Sequence, residues 1–279
     1  MERIKTKCKH GGGVRKLQRD EFILCELLYQ FADDNFILAY RGSEWLGLAP
    51  HIEEDVAFSS INQDMMGHAV MYYSLLEEIG AGNMDDLSHS RKPQNFRNAI
   101  LLELKNGSGH YLENPDYDWA FTVARNFLFS VFKQVRLEAL TQSSYEPLKQ
   151  TAVKILSEHY YHFMHWETWF MQLMSSTKEA RERMEQAVLR CWKEFAGVIS
   201  IGMYSAEMNK RKLICSEADL RKAWLDKMEN VFQKLKFKIE EPPGMESGNG
   251  RNGEHTDDLT EALKVLNEVY GGDKEAVSW

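Results

Sequence analysis

The chain has 279 residues, 43% of them hydrophobic and 11% aromatic, with thirteen methionines, which is enough apolar material for one large helical domain or two modest ones. A formal net charge of −8 argues against a nucleic-acid binder, whose footprint would be basic, and no apolar run approaches the ~18 residues of a membrane span. Cys8, Cys25, Cys191 and Cys215 are scattered without CxxC or zinc-like spacing, which reads as four reduced thiols in a cytoplasmic protein.

Residues 1–19 hold Arg3, Lys5, Lys7, Lys9, Arg15, Lys16 and Arg19 around Gly11-Gly12-Gly13 and no apolar core, so they read as a basic, solvated tail and not as a secretory signal. From Asp20 to Gly47, Leu24, Leu27, Phe31, Asp34, Leu38, Arg41 and Trp45 recur at helical steps. Asp33, Asp34, Arg41 and Glu44 lie on or beside that face and must be paired if buried. Gly47 and Pro50 stop this helix, and a second runs antiparallel to it from Ile52 to Gly80. Its stripe is Ile61, Met65, His68, Tyr72, Leu75 and Ile79, with Met65, Met66 and Met71 as gap-filling core.

A crossover from Asn83 to Asp118 follows, with turn signals at Pro93, Asn106-Gly107-Ser108-Gly109 and Asn114-Pro115; Asn98 to Leu104 fits a short helix or an extended strip equally. The third long helix is expected from about Trp119 to Gln142, with Ala120, Ala124, Phe127, Val131, Gln134 and Glu138 inward. Pro147 falls in the connection to a fourth helix, Leu148 to Met174, whose stripe is Ala152, Ile155, His159, His162, Trp166, Trp169 and Leu173. Ser176 and Glu179 form a capping box for a fifth helix to about Val198, and Ser216 caps a sixth to about Phe237. Residues from about 240 to 256 read as an irregular loop, after which Thr256 caps a terminal helix ending at Gly271-Gly272. The predicted class is all-α: residues 20–279 form a single ferritin-like domain, a four-helix bundle with a long crossover and added C-terminal helices.

Two long helices with inward histidines and nearby carboxylates raise the question of a di-metal centre. A working di-iron carboxylate site takes a Glu from each of two helices and a Glu-x-x-His pair from each of the other two. Here the first helix offers Glu44. The second offers His68, but three positions earlier stands Met65, which is no ligand for a hard ion; Asp64 lies four before. The third has no carboxylate between Trp119 and Leu137, and the fourth pairs His159 with His162, Glu158 being at i, i+4. No complete Glu-x-x-His motif is present, so the inward histidines read first as satisfied core residues. No Gly-rich phosphate loop and no repeat at solenoid periods are present either.

Four stretches then converge on a family. They are Trp45-Leu46-Gly47-Leu48-Ala49-Pro50 with Glu53-Glu54-Asp55-Val56-Ala57; Asp64-Met65-Met66-Gly67-His68-Ala69; the helix around Glu158-His159-Tyr160-Tyr161-His162; and Gly250-Arg251-Asn252-Gly253-Glu254-His255-Thr256. In order and spacing, over roughly Phe22 to Leu266, the chain resembles the C subunits of the bacterial ring 1,2-phenylacetyl-CoA epoxidase. That resemblance implies a ferritin-like member of a multicomponent monooxygenase in phenylacetate catabolism. The complex epoxidises the aromatic ring of phenylacetyl-CoA with dioxygen and with NADPH electrons passed through a reductase. It further implies that the di-iron site and the substrate belong to a related A subunit, the C subunit being its catalytically silent partner. The A subunit has Glu-Ala-Gly-His where this chain has Met65-Met66-Gly67-His68. His68 is a departure, since many C subunits have Gln there, and the basic tail has no counterpart.

The reading is therefore a non-catalytic structural subunit with no cofactor and no metal of its own, paired with a di-iron A subunit or with itself when alone, and with neither nucleic acid nor membrane as partner. Two alternatives stand beside it. One is an oxidase with its own di-metal site drawn from Glu44, Asp64, His68, Glu158, His159 and His162. The other is an all-helical adaptor unrelated to oxygenases.

Overall fold

The computed structural model describes residues 17–272, so nearly all of the predicted basic tail lies outside the described residues. Four long helices carry the fold: α1 (Arg19–Ser43) and α2 (Ile52–Ile79), then, beyond the short α3 (Met84–His89) and α4 (Ile100–Glu103) of the crossover, α5 (Trp119–Leu140) and α6 (Glu146–Ser175). At the starts of the first three, side chains satisfy backbone donors that have no partner within the helix. Glu21 accepts from the Gln18 amide at 2.9 Å, the His51 ring from the Glu54 amide at 3.3 Å, and Asp118 from the Phe121 amide at 3.1 Å. The helix α2 stops at Gly80, whose φ of 89° places it in the left-handed region. Pairs α1/α2 and α5/α6 pack along each other and α2 closes on α6, giving an all-α, ferritin-like four-helix bundle. A two-residue hairpin, β1 (Gly107–Ser108) with β2 (Asp116–Tyr117), is antiparallel with Gly107 opposite Tyr117.

The stripes of α1 and α2 are buried as predicted, Ile79 alone being half-buried. On α6 the buried line runs through Ala152, Ile155, His159, His162 and Trp166 and then to Phe170 and Met174, so Trp169 and Leu173 sit on its flank. Two starts are corrected. Pro147 belongs to the first turn of α6, where its missing N–H costs nothing. The next helix, α7 (Lys178–Trp192), is capped by Thr177, whose hydroxyl accepts from the Ala180 amide at 3.1 Å, and not by Ser176. It also ends before Val198, which lies in a separate α8 (Phe195–Ile199); α9 (Ser205–Lys210), α10 (Glu217–Leu235), α11 (Asp257–Leu266) and α12 (Glu268–Gly272) complete the α-helices among the described residues.

The larger correction is α5. Ala124, Phe127 and Val131 are buried, but Gln134 is half-buried and Glu138 exposed, while Arg125, Lys133 and Arg136 are buried. Helices α7 and α10 pack on α5 in addition to α6, so it has more than one covered face and one stripe cannot describe it.

Of those buried cations Arg136 has a carboxylate partner, whereas Arg125 donates to the Leu104 carbonyl and to Asn106 Oδ1. Asp34 of α1 accepts from Arg136 at 2.8 Å, from the Ala99 amide of the crossover at 3.0 Å, and from both arms of Arg251 at 2.7 and 2.9 Å. Arg251 also reaches the carbonyls of Arg97, Ser200 and Val198, so its guanidinium is fully engaged. Burial and the nearby Arg251 guanidinium push Arg136 down to about 9, and its guanidinium lies 3.9 Å over the Phe31 ring. Asp33 takes Tyr73 at 2.6 Å, Arg91, and the Arg97 amide at 2.7 Å. Glu103 takes His255 at 2.7 Å and the Thr256 amide and hydroxyl at 2.7 and 2.9 Å, so Thr256 bonds the crossover instead of capping α11 with its side chain. The stretch Gly250 to Thr256 is thus a clasp between the C-terminal loop and the crossover. Its glycines allow the approach: a Cβ at Gly250 would stand 2.0 Å from the Asn98 carbonyl oxygen, and one at Gly253 2.3 Å from that of Gln94.

Replacing Asp34 by Ala leaves two buried guanidinium groups without their anion, and the expected loss in unfolding free energy is about 3–5 kcal/mol, read by urea denaturation of the intact chain.

Candidate functional site

Helices α2 and α6 run antiparallel and are joined by three imidazole–carboxylate pairs. Glu158 lies 2.7 Å from His68 Nε2, Asp64 2.9 Å from His162 Nε2, and Glu54 3.1 Å from His165 Nε2 while taking the Trp169 indole N–H at 2.5 Å. The pairs face both ways, with the histidine on α2 once and on α6 twice. His68 and His162 are buried, whereas Glu158 and Asp64 reach solvent with 39% and 47% of their side chains exposed.

Behind His68, toward the axis, lies a lysine. Lys133 Nζ of α5 donates to Asn35 Oδ1 of α1 at 2.5 Å and faces His68 Nδ1 at 3.2 Å. His159 donates from Nε2 to the Ser130 carbonyl at 2.8 Å, and its Nδ1 is buried without a partner. The His162 ring is 5.9 Å from that of His68 and 6.1 Å from that of His159. A cavity of about 10 Å³ remains among Met65, Ser130, Lys133, His159 and His162.

Burial dominates the protonation of this centre. It pulls Lys133 down to about 7 against the favourable fields of Asp34, Asp64 and Glu158. Burial and the Lys133 charge push His162 down to about 4 although Asp64 opposes the shift, and they lower His68 and His159 as well.

The six residues singled out for a di-metal site do not meet at one point. Asp64, His68, Glu158, His159 and His162 cluster at the α2–α6 seam. Glu44, at the end of α1, is instead held by Arg41 at 2.7 Å and Asn106 at 2.8 Å. Within the cluster the carboxylates bond the outer nitrogens of the histidines and do not converge on the axis. Where a di-iron bundle needs inward carboxylates, α1 presents the Asn35 amide, α2 the Met65 thioether and α5 the Lys133 cation. Among the described residues no group of three or more His, Cys, Asp or Glu side chains is placed to hold a metal ion. The residues present do not fit a di-iron centre.

Sequence reasoning missed Asn35 and Lys133. A neutral amide carries no metal signal, and a lysine on a helix is by default a solvated residue. The available signal was the run Asn126 to Val135, in which Asn126, Ser130, Lys133 and Gln134 are the polar members of a helix otherwise apolar over nearly three turns.

A family model described as "Phenylacetic acid catabolic protein" matches residues 15–279. The chain is also 25% identical over 238 residues to the C subunit of the 1,2-phenylacetyl-CoA epoxidase of Escherichia coli (strain K12), an alignment that covers 85% of this chain and 92% of that protein.

The depressed imidazoles fix a direction for pH. His162 titrates near 4 in the folded chain against 6.5 in the unfolded one, so the unfolded state takes the proton first as pH falls. Stability from this group is complete above about 6.5 and is lost between 6.5 and 4; His68 and His159 act in the same sense. The midpoint of thermal unfolding is expected to fall steeply across that window. A His162→Gln variant should fall less steeply, as followed by circular dichroism.

Proposed function

The chain belongs to the phenylacetic acid catabolic protein family, and from that premise we propose that it is the non-catalytic structural subunit of a phenylacetyl-CoA ring-epoxidising monooxygenase, paired with a di-iron catalytic subunit. The observation that carries the silent role is the bundle centre. Asn35, Met65 and Lys133 stand where a di-iron site needs carboxylates, and Glu158 and Asp64 are engaged with His68 and His162 from the outer side. The name of the similar E. coli protein supports the assignment to such a complex.

In this role the chain works by burial. A bundle whose interior is fixed by charge pairs offers a stiff outer surface, and a stiff surface holds a partner's helices in one arrangement. The outward side of the α2–α6 pair has exposed apolar residues, among them Val56, Val70, Val153 and Met164, with Tyr160 at 59% and Tyr161 at 71% exposure. Tyr and Met are enriched where helices meet partners, and an exposed apolar patch of this kind favours association.

The deciding experiment is reconstitution. Purified alone with iron supplied during expression, the chain should hold near-zero iron and turn over no phenylacetyl-CoA. Added to the di-iron subunit and reductase, it should restore turnover that they lack without it. Two irons per chain in the isolated protein would sink the proposal, as would unchanged turnover when the chain is omitted.

The surface is tested separately. Tyr161→Glu combined with Met164→Glu should weaken co-purification with the di-iron subunit by roughly tenfold or more, a loss of the size expected from interface anchors. Its thermal midpoint should stay near that of the wild type.

A further inference from the structure

We propose that the Lys133 ammonium is a built-in replacement for a metal ion, the fixed cation of this bundle, held by a carboxylate–histidine–ammonium relay through His68 to Glu158. The inference rests on the internal geometry of this chain and on the silent role of its centre, but not on any partner.

The four core helices each supply one member: Asn35 from α1, His68 from α2, Lys133 from α5 and Glu158 from α6. Donors and acceptors then alternate along the line, with two of the three ammonium N–H groups of Lys133 engaged. An ionised Glu158 can only accept, so His68 Nε2 holds the proton. Neutral His68 therefore presents a lone pair at Nδ1, and Lys133 Nζ, 3.2 Å away, is the donor. Asn35 donates its amide N–H to the Phe31 carbonyl at 2.7 Å, which turns its Oδ1 toward Lys133 at 2.5 Å. A metal-ligating histidine uses one nitrogen on the ion and gives the other N–H to a carboxylate. His68 has that arrangement, with the lysine nitrogen in the ion's place.

An ordinary buried lysine lays its stem along apolar surface and sends its head to water. Lys133 does the reverse. It is 5% exposed and its head points to the bundle axis. Asp34, Asp64 and Glu158 all favour its charge, opposing the cost of burial. The space left beside it, about 10 Å³, is that of a single water molecule and not that of a coordinated ion pair. Met65, three positions before His68 on α2, lines the same space, so the thioether and the lysine together bound what remains of it.

Nitrogen NMR of labelled histidine in the intact isolated chain, slightly below neutral pH, reads the relay directly. His68 is expected with Nε2 protonated and Nδ1 accepting, and Lys133→Met should shift the Nδ1 signal, which loses its donor, while Nε2 keeps its proton against Glu158. A wild-type His68 protonated at Nδ1 would overturn the proposal, as would signals unchanged by Lys133→Met. A second measurement uses cobalt(II) in equilibrium dialysis. The variant Lys133→Glu with Met65→Glu, if folded by circular dichroism, should bind it roughly tenfold or more tightly than the wild type. A folded double variant that binds no better would count against Lys133 as the ion's substitute. Neither readout involves the epoxidase, so failure of the scaffold reading in reconstitution leaves both interpretable.

Discussion

Segments of this structure that are far apart in sequence are tied through the carboxylate of Asp34. A buried anion on the first helix has to be neutralised, and the chain does so with Arg136 from α5, Arg251 from the C-terminal loop and a backbone amide from the crossover. Attraction at one carboxylate thereby sets the register of α5 against α1 and the position of both long connections. Asp33 repeats the arrangement one residue earlier with Arg91, Tyr73 and the Arg97 amide. Adjacent helical positions face about 100° apart, so the two carboxylates hold different walls of the crossover.

A second layer of charge lies along the α2–α6 seam, and it differs in kind. Here histidines are paired with carboxylates, two of which reach solvent, and the cation behind them is a lysine. The contrast with a metal-bearing bundle is one of fixity. A metal ion draws its ligands inward and can be lost or exchanged, whereas Lys133 is covalently part of α5 and its partners are an amide and an imidazole. The bundle thereby keeps an organised polar centre built from its own side chains.

Much of this was legible from spacing alone. Leu24, Leu27, Phe31, Asp34, Leu38, Arg41 and Trp45 form one buried line on and just beyond α1 because a helix that faces a core repeats at three and four residues. The inward histidines of α2 and α6 followed from the same rule. It failed on α5, where further surface is covered by α7 and α10, and Arg125, Lys133 and Arg136 disappear into places a single stripe assigns to solvent. It drifted at the end of α6, where the Trp169 indole is drawn to Glu54 and the buried positions become Phe170 and Met174. The pairing of charges was inaccessible for a different reason. Asp34 and Arg251 are 217 residues apart, and no local pattern specifies such a partner. The motif Gly250 to Thr256 could be recognised as a unit, but its meaning as a clasp required the crossover to be in place.

That separation has a consequence for how the molecule is made. A ribosome delivers α1, α2, α5 and α6 long before it delivers Arg251, so a nascent chain can assemble its bundle only with Asp34 paired to Arg136 alone. Contacts of such long range close late, since the loop they seal must first exist. When Arg251 does enter, its guanidinium engages Asp34 and three backbone carbonyls at once. The loop that carries Arg251 is therefore the keystone of the arch: a stone placed after the bundle's four helices, and the one that locks them.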